Sequence, residues 1–453
     1  MHATRFVRLV SIVAAGCVLN VSALPAWAQS APPEPHQHPP AVQTGSDQSQ
    51  PQHDAQHMHM QGDPDIATPP TREGSGTSWL PDETPMSAIH ARAGDWTLMA
   101  HGNAFLQYLH DTGDRGSHQF GSINWFMGMA DRTAGSGHLG LRGMISLEPW
   151  TVRGCGYPDL LASGEVCQGE AIHDRQHPHD LFMELAVTYD RPLAGDVRLQ
   201  LYGGPVGEPA LGPTAFPHRI SAISSPLAPI THHWLDATHI TFGVVTGGVY
   251  RTRWKAETSV FNGREPDENR TNFDFAQLDS YSGRFWFLPT KRWAIQASAG
   301  HLTDAEAGHD GGARVNVNRV TASATYHRAR RAGSLWASTI AWGRNVEPGN
   351  RATNAFLAET SVTLNDRNGW FGRFELSEKS GHDLAIESAG VFTVAKLAVG
   401  YTRYVQPWNG LKPGFGAGLS VAIAPETLRS IYGSRVNPGV ALFVTLRPGE
   451  RGM

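Results

Sequence analysis

The chain has 453 residues, 17% of them charged, with a formal net charge of −4 and a sequence pI near 6.6. This slightly acidic balance argues against a nucleic-acid partner, which requires a basic surface. No stretch approaches 18 consecutive apolar residues, so the sequence predicts no transmembrane helix.

The N-terminus, residues 1–28, has the pattern of a secretory signal peptide. Arg5 and Arg8 precede a short apolar core at 9–24, and the A-x-A sequence at 26–28 provides a cleavage site. The apolar core is too short to span a bilayer. We therefore expect an exported protein.

The roles of the three cysteines depend on whether the signal peptide is cleaved. A lipoprotein signal with Cys17 as the lipidated residue is the alternative to a cleaved signal peptide. Cleavage after Ala28 leaves Cys155 and Cys167, and two nearby cysteines in a secreted protein predict a disulfide. A pair of thiolate metal ligands is the alternative.

Residues 29–93 are rich in Pro, Gln, His, Ser and Asp, and poor in aliphatic residues. Such a segment cannot bury enough apolar surface to fold, so we predict that it is disordered. Imidazole suits Cu(II), Zn and Ni whereas thioether selects Cu(I), so mixed His and Met point to copper as a possible bound cofactor. A soluble leader without a metal role is the alternative. The candidate ligands are His53, His57, Met58, His59 and Met60.

The body of the chain, residues 94–453, alternates apolar and polar residues with a period of two. In 249–261 the charged residues occupy odd positions and the apolar ones even positions, and 370–377 shows the same sorting. A strand sorts residues onto two faces in this way, and a helix does not. The pattern predicts sixteen strands, at 96–109, 120–129, 138–148, 181–190, 196–204, 238–246, 249–261, 278–288, 292–302, 316–328, 334–344, 353–364, 369–378, 390–404, 413–423 and 437–447.

The links between these strands alternate in length along the chain. Short links such as 191–195 and 289–291 separate long ones such as 149–180 and 205–237. Transmembrane barrels combine tight periplasmic turns with long outer loops, so the pattern predicts an all-β, antiparallel up-and-down barrel with both termini in the periplasm. A soluble, secreted β-sandwich or propeller is the alternative.

Aromatic residues near predicted strand ends fit the two interfacial girdles of such a barrel. They are Trp96, Trp125, Phe126, Phe285, Phe287, Trp293, Trp342, Trp370 and Tyr404. Over residues 94–447 the chain resembles the bacterial outer-membrane β-barrel class. The resemblance implies the outer membrane of a Gram-negative bacterium, lipid as a partner and possible association into homotrimers. Many proteins of this class end on an aromatic residue in their last strand. This chain departs from that pattern, since it continues beyond its last predicted strand to Met453.

If the aromatic-rich face meets lipid, the charged face lines the lumen, since an Arg facing lipid at mid-depth costs about 2–4 kcal/mol. These charges are either a selectivity lining or mutually neutralising pairs that plug the barrel. The candidate lumen residues are Arg198, Arg251, Arg253, Lys255, Glu257, Arg284, Arg319, His327, Glu359, Arg373 and Glu375.

A second candidate metal site lies in the loop that contains Cys155 and Cys167. His173, His177 and His179 fall within seven residues, and three imidazoles can gather a borderline metal. Ordinary polar loop surface is the alternative. Three further histidines, at 218, 232 and 233, can join this site only if the two long loops meet in space.

The His/Met leader followed by a barrel also resembles copper resistance protein B, which implies copper capture or export. We therefore expect a barrel linked to the handling or transport of metal, with copper as the leading candidate. The alternative is a porin-type channel for small solutes in which the leader is incidental. No constellation of Ser/His or paired acids on adjacent strands indicates catalysis, so we do not expect an enzyme.

Overall fold

The computed structural model describes residues 70–85, 87–306, 314–330, 333–348 and 351–449. The predicted signal peptide and the candidate ligands His53, His57, Met58, His59 and Met60 lie outside these residues. Within the described ranges, no helix is both long enough and apolar enough to cross a membrane.

Nineteen strands are present in the described part of the chain. They are β1 (Ile89–Ala93), β2 (Trp96–Asp111), β3 (His118–Ala134), β4 (Gly137–Ile145), β5 (Tyr157–Cys167), β6 (Glu170–Gln176), β7 (Phe182–Ala194), β8 (Val197–Val206), β9 (Val244–Arg251), β10 (Trp254–Phe261), β11 (Ser280–Phe287), β12 (Trp293–Glu306), β13 (Val315–Arg330), β14 (Ser334–Glu347), β15 (Arg351–Leu364), β16 (Asn368–Ser380), β17 (Val391–Tyr404), β18 (Leu411–Ile423) and β19 (Val436–Pro448). The helices are short: α1 (Glu148–Thr151), α2 (His232–Leu235), α3 (Arg429–Tyr432) and 3-10 turns at Pro70–Arg72, Ala237–His239 and Glu426–Leu428.

Sixteen of these strands form one closed antiparallel barrel. Each pairs with its neighbour in chain order, and β19 returns to pair with β2 from Gly439 opposite Asp111 to Leu446 opposite Ala104. β1 is joined to β2 as a hairpin, and β5 pairs with β6 apart from the barrel wall. The predicted sixteen-stranded barrel is confirmed.

The two faces of the wall differ as a membrane-spanning barrel requires. In β11 buried and exposed residues alternate without interruption: Arg284 is 3% exposed, whereas the adjacent Phe285 is 47% exposed. Large apolar side chains cover the outer face, as they do in barrels that span a membrane. They include Leu106, Phe120, Val187, Val245, Tyr281, Ile340, Trp370, Leu419 and Leu442.

The links segregate by length, because consecutive links of an up-and-down barrel lie at opposite ends. The end with tight links such as 135–136, 195–196 and 252–253 is the short-turn end. The other, long-loop end carries the links 146–181 and 207–243.

Three predictions about the wall are wrong in detail. The predicted strand 249–261 is a hairpin whose turn is 252–253, because β9 ends at Arg251 and β10 begins at Trp254. Trp125 and Tyr404 are 7% and 2% exposed and face inward, so they do not belong to a lipid-facing girdle.

The predicted disordered segment also extends too far along the chain. Its last part, residues 71–85, lies inside the barrel, and residues 89–93 form β1. This part contains Trp79 and Leu80, which are 5% and 4% exposed. Residues 71–85 have too few apolar side chains to form a core of their own. They are ordered because the barrel wall, which is built from later residues, buries them.

Candidate functional site

Three segments enter the barrel and occupy its lumen. We call them the plug (71–85), the hairpin loop (146–181, which carries β5 and β6) and the inner loop (207–243). Most residues of the inner loop are buried, and so are Gly74–Pro81 of the plug. The candidate site is therefore the surface that these segments share with the inner face of the wall.

The plug is held at the short-turn end by a buried arginine. The Arg72 side chain donates hydrogen bonds to Asp82 (Nε to Oδ1, 2.7 Å) and to the backbone oxygen of Thr252 in the β9–β10 turn (2.7 Å). Its guanidinium lies 4.7 Å from the ring centroid of Trp79, which in turn meets Tyr250 edge-on at 5.8 Å. A charge and an aromatic ring thus fix the plug to β9.

Two cations of the wall also bind the plug. Lys255, which is 0% exposed, donates to the backbone oxygen of Thr77, and Arg284 donates to the Thr77 hydroxyl at 3.1 Å. Both cations pair with Glu257, at 3.3 Å from Lys255 and 2.9 Å from Arg284. Arg284 also lies 3.3 Å from Glu208 of the inner loop, so plug, loop and wall share one ion-pair network.

The inner loop is anchored by Arg219, whose side chain is fully buried. Its guanidinium lies 2.6 Å from Glu359 of β15 and 2.8 Å from Asp236 of the same loop. Glu359 also pairs with Arg373 of β16 at 3.0 Å. Burial opposes the charge on Arg219, but the two carboxylates outweigh it and raise the pKa of the guanidinium.

The inner loop has a second anchor at Glu375. The Thr231 hydroxyl and backbone N–H donate to its Oε1 at 2.8 and 3.1 Å. The inserted segments are therefore attached to the wall largely through ion pairs and hydrogen bonds.

Five histidines from the two loops meet above the anchors. The rings of His179, His232 and His239 surround Phe216 at centroid distances of 5.7, 5.3 and 5.8 Å. His177 lies 6.2 Å from His232, so the hairpin loop and the inner loop do meet. His233 is the fifth member of the group, and its ring lies 5.3 Å from that of His232.

Hydrogen bonds orient these rings in a consistent way. The Nδ1 atom of His179 contacts Glu148 at 2.9 Å, and that of His239 contacts the backbone oxygen of Asp236 at 2.9 Å. The Nε2 atoms of both are buried without a hydrogen-bond partner among the described residues. A partner on Nδ1 and a free Nε2 is the arrangement of metal-ligating histidines.

Protonation differs along this group. Burial, with the charge of Arg270, lowers the pKa of His177 well below its usual value, and burial with neighbouring imidazoles does the same for His239. These two rings are neutral at pH 7. Burial also acts on Asp236, but the charge of Arg219 and the hydrogen bond from His232 lower its pKa.

One group of ligand atoms is compact enough for a single ion. His233, Glu265 and Glu306 each offer one atom, and these atoms lie within 4.8 Å of one another. His233 Nδ1 is 3.1 Å from Glu265 Oε1. The ring is held by Gly164, where a Cβ would lie 1.9 Å from His233 Nε2 and φ is +120°. One imidazole and two carboxylates suit a borderline divalent cation.

Of the predicted metal ligands in the hairpin loop, the structure brings together two and separates one. His177 and His179 are buried in the histidine group, whereas the His173 side chain is 38% exposed and pairs with Asp174 at 2.9 Å. The predicted disulfide between Cys155 and Cys167 is confirmed.

Most of the predicted lumen residues are buried inside the wall, where opposite charges neutralise one another. Arg251 and Arg253 are corrections, since both are exposed at the short-turn end and Arg251 pairs there with Asp196. The reason is the hairpin turn at 252–253. Tyr250 is the last inward-facing residue of β9, so Arg251 faces outward and Arg253 lies in the turn. The buried members are Arg198, Lys255, Glu257, Arg284, Arg319, His327, Glu359, Arg373 and Glu375.

Sequence reasoning missed a cluster of methionines on the inner face. Met127, Met129, Met144 and Met183 are at most 7% exposed and pack together, with Met99 against them. The signal that reveals them is Trp125-x-Met127-x-Met129, a run of alternate residues on the face opposite Phe126.

Comparison with solved structures finds a similar fold in a bacterial porin. OmpF of Salmonella typhi, in complex with daunomycin, superposes with a TM-score of 0.51 at 10% identity, over 79% of this chain and 100% of that one. The fold is that of a bacterial porin. The anion-selective porin from Comamonas acidovorans (TM-score 0.48, 9% identity, 78% and 99% coverage) and OmpT of Vibrio cholerae (0.44, 8%, 80% and 100%) are also similar.

Comparisons by sequence add nothing to this. No family model and no curated protein matches the chain. The resemblance to copper resistance protein B therefore has no support, whereas the resemblance to outer-membrane barrels is confirmed.

Proposed function

We propose that the protein is an outer-membrane channel for small solutes, whose lumen is reduced by the plug and the inner loop to a route for ions and comparably small molecules. The short-turn end faces the periplasm, as is usual for such barrels. The observation that carries this proposal is the polar character of the interior. The plug and the inner loop are bound by ion pairs and hydrogen bonds, which water can replace when a segment moves.

The porin-type alternative fits this interior better than copper handling by the N-terminal leader. The charges on the wall are already paired, so they bind the inserted segments and do not form an open selectivity ring. Beside the plug lies a cavity of about 110 Å³, which is room for several water molecules. Such dimensions favour small ions over sugars. Association into homotrimers stays a prediction.

Conductance tests this function. The purified mature protein in planar lipid bilayers should show small, brief ion currents, and deletion of the plug (71–85) should increase conductance several-fold because its charged contacts hold the lumen closed. Deletion of an equal number of residues at 38–52 is the control and should leave the current unchanged. A wild-type protein and a plug deletion that both fail to conduct would refute the proposal.

A further inference from the structure

The methionine cluster lies on adjacent strands at matched heights. His101 of β2 is paired with Met127 of β3, and Met127 is paired with Met144 of β4. Residues paired directly across antiparallel strands have Cβ atoms about 5 Å apart. One imidazole and two thioethers therefore form a continuous row on the inner face of the wall.

The inner loop closes this row from above with His218. Its Nε2 lies 3.4 Å from the Met144 sulfur, and its ring lies 5.5 Å from that of His101 and 4.6 Å from that of Trp125. With bonds of about 2.3 Å to sulfur and about 2.0 Å to nitrogen, as zinc makes, two ligands of one ion lie about 3.5 Å apart. The His218–Met144 separation matches that spacing.

A second observation points to a ligand at the same place. The Nε2 atom of His101 is buried and has no hydrogen-bond partner within the described ranges. The cavity of about 110 Å³ beside the plug is lined by His101, His218, Trp125 and Met129. The cavity thus reaches both imidazoles of the row. A buried nitrogen without a partner costs free energy, which an ion bound between these imidazoles and the adjacent thioethers would recover.

The local charge also permits a monovalent cation. Arg142 is a basic residue on the same inner face and is paired with Met129 across β3 and β4. Its guanidinium lies 3.2 Å from Glu184 and 4.0 Å from Glu73 of the plug, so it is compensated. The ring of Trp125 lies against both imidazoles, and an aromatic ring attracts a cation through its face.

We propose that His101, Met127, Met144 and His218, beside Trp125, bind a soft monovalent cation, Cu(I) or its analogue Ag(I), within the barrel. Neutral thioether and imidazole ligands select such ions over hard cations. Tight apolar packing by the methionines is the competing explanation. The site deepens the proposed function, on which it rests for its role, because it names a class of ion that the channel handles.

Silver titration tests the site directly. The full mature chain is used with His53, His57, Met58, His59 and Met60 replaced by alanine, so that the leader contributes none of these ligands. The protein used begins at Gln29 and so lacks Cys17, and Cys155 and Cys167 are joined as the disulfide, so thiolates cannot account for binding. Calorimetry with silver nitrate should show a site of micromolar or tighter affinity, which the methionine double variant described below weakens. X-ray absorption should show both sulfur and nitrogen ligands.

Two variants and two controls separate binding from packing. The double variant Met127→Leu/Met144→Leu keeps the volume and should weaken silver binding at least 100-fold. His218→Gln should weaken it and reduce the nitrogen contribution. Ile240→Leu, a similar change in the same cluster, and His118→Gln, at an exposed strand end, should bind as the parent does.

The outcomes distinguish this site from the channel proposal. Absence of a silver site, or undiminished binding by the double variant, overturns the site even if the protein conducts. A protein that binds silver, but that carries no current either as the wild type or as the plug deletion, overturns the channel and leaves the site standing. Each variant is checked for barrel formation by its resistance to unfolding in urea.

Discussion

Arg219 provides the sharpest test of how the lumen is closed. In Arg219→Met the side chain keeps an unbranched apolar stem but loses the charged guanidinium, and the carboxylates of Glu359 and Asp236 remain buried. Breaking a buried ion pair from one side costs about 3–5 kcal/mol. Because Glu359 keeps Arg373 at 3.0 Å and Asp236 keeps His232 at 2.8 Å, we expect the lower end, about 3 kcal/mol.

That loss acts on the position of the inner loop. Arg219 joins the loop to the wall, so the cost favours withdrawal of the loop by about a hundredfold, at 1.4 kcal/mol for each factor of ten. Single-channel recordings should show longer and larger openings, and urea unfolding in lipid vesicles should show a free energy of unfolding lower by about 3 kcal/mol.

The matched control is Arg429→Met. This arginine pairs with Glu426 at 3.3 Å, but both side chains are about two-thirds exposed, and such pairs contribute little. Its conductance and stability should equal those of the wild type. Wild-type behaviour of Arg219→Met in both assays would refute the claim that buried ion pairs hold the inner loop.

Three further predictions concern the interior and the hairpin loop. Burial raises the pKa of Glu208 to about 7 despite the charge of Arg284, so the wild type should lose up to about 3 kcal/mol of unfolding free energy as pH rises from 4.5 through 7. Glu208→Gln should lack this decline, and parallel curves for the two proteins would contradict it. Trp79→Ala should weaken plug binding by about 3–5 kcal/mol and raise conductance, and an unchanged current would show that the ring does not hold the plug. Replacing Cys155 and Cys167 by serine should lower the unfolding free energy by about 2–3 kcal/mol, because the bridge closes a short loop. An identical urea midpoint for this double variant would exclude that contribution.

The wall could be predicted from the sequence because a membrane imposes opposite solvents on its two faces. Every inward residue of β11 is buried and its neighbours are exposed. The sequence shows this contrast directly, since the polar Arg284 faces inward and the apolar Phe285 faces outward. The strand count follows from the same rhythm. The alternation misplaced the strand bounds at 249–261, because the end of β9, the two-residue turn and β10 alternate continuously and were predicted as one long strand.

The contents of the lumen could not be predicted in this way. Arg72 binds Thr252, 180 residues later, and Arg219 binds Glu359, 140 residues later. Contacts at such separations depend on barrel closure and leave no periodic trace. The prediction that Trp125 faces lipid was wrong for another reason, since an aromatic residue suits both a lipid girdle and a packed interior. Only its spacing of two residues from Met127, and of four from Met129, indicates that it faces the interior.

The place where the plug joins the barrel has a consequence for opening. Only residues 86–88 separate it from β1, which pairs with the first strand of the ring, and three residues reach about 10 Å at most. A released plug therefore remains tethered at the rim and returns at a high effective concentration. In the proposed channel, gating by the plug is therefore unimolecular, and its frequency is expected to be independent of how many copies the membrane holds.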